Sequence, residues 1–206
     1  MEIFGAGFIA GLALAIPLGP MAILLIGTTL RSGRGVGSFG ALAMATVDAC
    51  YAAIVFAFGN LVITALSQWV FPLRILGSAI LVVITVKIWL DSRKPLEPAA
   101  SRQSSLTHSR ALTFAKFFGL TIINPATAFY FVGITPSVSS LSSSPGLAIG
   151  FLVFAGGVFF GSLIWQLTLV QMGSLTAKFT DRKVQNQIQK FGAILILLLA
   201  AGLLLI

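Results

Sequence analysis

One carboxylic acid, Asp48, stands in the middle of a long apolar stretch of this 206-residue chain. The other acids, Glu2, Asp91, Glu97 and Asp181, fall at the ends of apolar runs or between them. An ionised carboxylate in hydrocarbon is costly, so an acid kept there points first to an ion or solute path. A carboxyl that can exchange a proton for a cation is what an antiporter needs. Its helical neighbours Ala41, Met44, Ala45, Tyr51 and Ala52 are mostly small, which suits close helix packing and predicts that Asp48 faces inward. The alternative is a structural hydrogen bond to Tyr or Asn, or a pair with Lys87, although Lys87 is placed to snorkel from a span end.

Backbone chemistry accompanies the acid. Pro17, Gly19 and Pro20 lie within four residues and remove helix hydrogen bonds, which opens carbonyl groups. Lipid cannot satisfy those groups, so the break must face protein or water. Asn124-Pro125 interrupts a later run in the same manner, and the Asn amide can serve a solute or the freed carbonyls. Ser162 and Gln166 share a helix face at i, i+4 spacing, suited to interhelical hydrogen bonds as much as to solute contact. The candidate solute-binding set is therefore Pro17, Gly19, Pro20, Asp48, Asn124, Pro125 and Gln166, with Asp48 also the candidate coupling-ion site.

The elements that must hold these groups follow from composition. With 57% hydrophobic and 9% charged residues, the chain has too few charges to cover a water-facing surface. Apolar runs at about 3–30, 38–66, 73–91, 112–135, 146–173 and 188–206 are each near the ~20 residues a bilayer-crossing helix needs. Their length argues for helices over barrel strands. The first run lacks a basic start and is broken by Pro17 and Pro20, so it reads as a span and not a signal peptide. The expected fold is all-α: a membrane protein of six transmembrane helices, with helices one and four broken at prolines.

Basic residues set the orientation. Arg31 and Arg34 follow run one; Arg93, Lys94, Arg102, Arg110 and Lys116 follow run three; Lys178, Arg182, Lys183 and Lys190 follow run five. Arg74 alone lies on the other side. These loops are expected to be cytoplasmic and both termini outside. The net charge of +8 is explained by this bias without nucleic acid. The Ser-, Arg- and Pro-containing stretch 92–111 reads as a flexible cytoplasmic linker between units 1–91 and 112–206.

The two units look like one pattern used twice. Gly11-Leu-Ala-Leu-Ala-Ile-Pro17 parallels Gly119-Leu-Thr-Ile-Ile-Asn-Pro125, and Gly77 and Gly192 each open a continuous apolar span. An odd number of spans per unit inverts the second copy. Inverted three-helix repeats with interrupted helices in corresponding places point to a transporter site at their interface. Small-xxx-small pairs, Gly7/Gly11, Gly146/Gly150 and Gly157/Gly161, mark tight packing.

These motifs carry a resemblance over nearly the whole chain. Pro17-Leu-Gly-Pro-Met-Ala-Ile-Leu-Leu-Ile26, Thr46-Val-Asp48, Asn124-Pro125 and Phe154-Ala-Gly with Ser162-Leu-Ile-Trp165 resemble the lysine exporter superfamily of small bacterial efflux proteins. The resemblance implies a secondary active exporter of amino acids or related small polar solutes across the bacterial inner membrane, driven by protons or the membrane potential. The chain departs from the pattern at Met21 and Ala126, where relatives often carry polar residues. It also has Phe129 and Tyr130 where the lysine-exporting branch places an acid. These departures count against lysine or arginine as the solute.

Other function classes fit less well. The single histidine, His108, falls in the linker, away from any span serine, so a membrane hydrolase is not expected. Cys50 has no partner for a disulfide or thiol relay. No cofactor or resident metal is expected. Export of a metal or other inorganic cation, or a channel, is the alternative function. The expected partners are the solute and the bilayer, with a homodimer also compatible with such a bundle.

Overall fold

The computed structural model describes residues 1–17, 19–67, 106–141 and 147–179, with scattered helical residues between 72 and 90 and between 184 and 201. The runs expected at 73–91 and 188–206 therefore lie largely outside the described residues. Among those described the chain is all-helical: α1 (Glu2–Ala15), α2 (Pro20–Ser32), α3 (Arg34–Ser67), α4 (Leu106–Ile122), α5 (Pro125–Leu141) and α6 (Leu147–Phe179). The helix α4 begins at Leu106, so the end of the stretch read as a linker, 106–111, is helical.

Among the described residues two segments are long and apolar enough to cross a membrane, Arg34–Gly59 of α3, which kinks at Phe58, and Ile149–Ala177 of α6. Beside them stand two broken pairs. Glu2–Ala15 meets Pro20–Ser32 at a bend of 76°, and Arg110–Ile122 meets Ala126–Val138 at 54°. Both bends fall at the expected prolines, where the helix loses N–H donors. Between α2 and α3 the chain reverses at Gly33, whose φ of 83° is open to glycine and strained for other residues.

The sequence halves are interleaved. Gly7 and Gly11 of α1 press onto Gly157 and Gly161 of α6, so closely that a Cβ at any of the four would overlap a backbone carbonyl oxygen of the facing helix. That seam fixes α1 against α6 by backbone contact, the means available when the solvent is as apolar as the side chains. In turn α4 and α5 pack along α3, and α3 crosses α6 at the centre.

Two apolar clusters form along this crossing. One gathers Met21, Leu25, Met44, Phe117 and Val170; the other gathers Val55, Phe56, Phe131, Phe154 and Val158. The first lies toward the basic end of the bundle, where Arg110 of α4 sits over the Phe39 ring of α3, 5.8 Å from its centroid. Buried polar groups, Asp48, Thr121, Thr127, Ser162 and Gln166, occupy the interior between and beside the clusters, while Ile9, Leu61, Ile149, Leu152 and Phe160 face outward. A polar interior with an apolar exterior suits a multi-pass membrane protein.

Candidate functional site

The first break is made of backbone. Helix α1 ends because Pro17 has no N–H for the Ala13 carbonyl, and Pro20 has none for Ile16. The N–H of Gly19 turns back to the Pro17 carbonyl at 2.7 Å instead of continuing the helix. Gly19 is then the extended N-cap of α2, with Pro20 at the first helical position, and no side chain caps the amide groups that follow. Carbonyls of one helix end and amides of the next thus meet at one point.

The second break is finished by side chains. Asn124 accepts the Ala126 N–H through Oδ1 (3.3 Å) and donates through Nδ2 to Thr127 Oγ1 (3.1 Å), the work of an N-cap. With the Ala126 N–H directed to Asn124, the Ile122 carbonyl loses its helical donor. Tyr51 of α3 supplies one, its hydroxyl donating to that carbonyl at 2.6 Å. From α5, Tyr130 donates to the Ala10 carbonyl of α1 at 2.7 Å and so ties the two broken spans together.

Asp48 lies opposite the breaks. It is 3% exposed and accepts a 2.6 Å hydrogen bond from Ser162 Oγ of α6. Gln166, one turn further along α6, is equally buried, and its Oε1 has no partner. The structural partner of the acid is thus Ser162, and not Tyr or Asn; Lys87 lies outside the described residues.

These groups surround a cavity of about 210 Å³. Pro17, Gly19 and Pro20 from the first break, Asn124 from the second, and Asp48 and Gln166 from the two rods all line it. Pro125, also in the sequence-derived set, is the first residue of α5. Met21, Met44, Thr121, Thr127 and Tyr130 complete the polar and apolar wall and were not in the sequence-derived set. Thr127 was open to discovery as the third residue after Asn124, at capping distance, and Met44 as a neighbour of Asp48 on one helix face; Tyr130 carries no local signal. Among the described residues no three of His, Cys, Asp or Glu come together to hold a metal.

The LysE type translocator family matches residues 12–206. A relative from Bacillus subtilis (strain 168), named "Putative amino acid efflux protein YcgF", is 23% identical over 184 residues, covering 89% of this chain and 86% of that protein. No solved structure matches the chain.

Proposed function

The chain belongs to the LysE type translocator family, and we propose that it is a secondary active exporter of amino acids or related small polar solutes across the bacterial inner membrane, driven by protons or the membrane potential. The observation that carries this reading is the shared cavity: a lone carboxylate, an unpartnered amide oxygen and two helix breaks converge between two apolar clusters.

Each end of an amino-acid zwitterion has a counterpart there. The amino end of α2, which no side chain caps, carries partial positive charge and suits a carboxylate. Asp48, Gln166 Oε1 and the Ala13 carbonyl, whose helical donor is lost at Pro17, suit an ammonium group. Asp48 would hold the solute's cationic group in one state and a proton in the next. Ser162 can follow that exchange because its hydroxyl donates to a carboxylate and can turn to accept from a carboxylic acid. A buried carboxylate with no cation and no proton is disfavoured, which links the return of the empty site to protonation.

The six spans would form two inverted three-helix repeats, with both termini outside. The two units, 1–91 and 112–206, would rock against each other. Their contact at Asp48–Ser162 is where access would alternate. The test uses the purified chain in liposomes loaded with radiolabelled amino acids. Saturable efflux accelerated by a proton gradient is expected; efflux that rises linearly with solute and ignores the gradient contradicts a carrier.

A further inference from the structure

We infer that Met21 and Met44 make this site select neutral amino acids with an apolar side chain, a specificity that rests on the exporter reading above. Among the described residues, Asp48 is the one carboxylate on the cavity wall. Once it faces the α-ammonium group, a second ammonium, as in a basic side chain, has no acid to meet.

Two wall hydroxyls spend their protons on backbone, Thr121 on the Phe117 carbonyl at 2.7 Å and Tyr130 on that of Ala10, while Thr127 accepts from Asn124. Toward the basic end the wall carries the thioethers of Met21, from the first turn of α2, and Met44, one turn before Asp48, beside Gln166, whose Oε1 serves the ammonium group in the reading above. The two methionines are 6% and 4% exposed and continuous with the cluster of Leu25 and Phe117, so a side chain directed there leaves water entirely. A charged group in that place is strongly disfavoured and a hydroxyl moderately so. Methionine is unbranched and adaptable, which lets one floor accept several aliphatic shapes.

Valine and threonine have the same shape and differ by a methyl against a hydroxyl, so their ratio isolates the chemistry of the floor. Liposomes containing the purified chain are loaded with equal valine, threonine and lysine, each labelled separately. Valine efflux is expected to exceed threonine by about tenfold and lysine by more, the discrimination an apolar pocket can supply. Met21→Gln and Met44→Gln, close in length to the original, are expected to lower the valine-to-threonine ratio several-fold. Because the readout is a ratio within one preparation, it does not depend on how much protein folds. Lysine or threonine leaving as fast as valine, or ratios unmoved by both variants, overturns the specificity while leaving an amino-acid exporter standing. No efflux of any of the three overturns the exporter reading and this inference with it.

Discussion

The two helix breaks solve one problem in opposite ways. Both interrupt a membrane-depth helix at proline and both leave backbone groups without partners. The second is closed by Asn124, which caps α5, and by Tyr51, which takes the Ile122 carbonyl. At the first, Gly19 offers no side chain, and the Ala13 carbonyl keeps no helical donor. Backbone groups left bare beside a cavity are available to a solute; groups already hydrogen-bonded are available to hold the bundle in shape. The first break is thus suited to binding and the second to bracing, with Tyr130 carrying the brace across to α1.

Substitutions should separate these roles. The largest effect is expected at Gly11→Leu, because the seam with α6 holds the unbraced first break in place and a Cβ there meets the Val158 backbone. Folded protein should be nearly absent from detergent extracts by size-exclusion chromatography; normal recovery would mean that α1 is held by something else. In the second break, Tyr51→Phe leaves the Ile122 carbonyl unpaired at a cost of about 1–3 kcal/mol, read as a lowered unfolding temperature. Asn124→Ala should cost about 1 kcal/mol by loss of the cap, and Asn124→Ser, which can also cap, should restore most of it. The smallest stability change belongs to the first break. Gly19 has ordinary φ, and a Cβ there has room beside the Pro17 carbonyl. Gly19→Ala should therefore leave unfolding within about 0.5 kcal/mol of the parent, while raising the solute concentration needed for half-maximal efflux. If Gly19→Ala destabilises and Tyr51→Phe changes only transport, the division of labour is reversed.

Much of this arrangement is legible in the sequence, since proline and an isolated acid act locally. Pro17, Pro20 and Pro125 each remove a helix N–H wherever they fall, although Pro136 sits inside α5 without ending it, and Asp48 must turn away from lipid. The i, i+4 spacing of Ser162 and Gln166 puts them on one face before any partner is known. Which helices meet is not legible. Gly7, Gly11, Gly157 and Gly161 announce two tight seams by spacing, but nothing in the letters says that they are one seam between α1 and α6. The Asp48–Ser162 bond depends on the register of two rods whose residues are 114 positions apart. The tyrosines are obscure for the same reason: each serves a carbonyl on a distant helix, so its function is set by packing and not by neighbours in sequence. The start of α4 at Leu106 escaped because Ser- and Arg-containing sequence reads as a loop until a helix extends back into it.

Orientation is open to a direct check. In a Cys50→Ser background, a cysteine introduced at Ser142 should react with a membrane-impermeant thiol reagent added outside intact cells. Reaction only in inside-out vesicles would reverse the topology.

The most direct test of a solute path past the buried acid is proton-gradient-driven efflux by Asp48→Asn in liposomes, with equal protein incorporated. Asparagine keeps the shape and can still accept the Ser162 hydroxyl, so insertion and unfolding temperature should change little while gradient-driven efflux falls to the level of empty liposomes. Efflux equal to that of the parent, with the same dependence on the gradient, would contradict it.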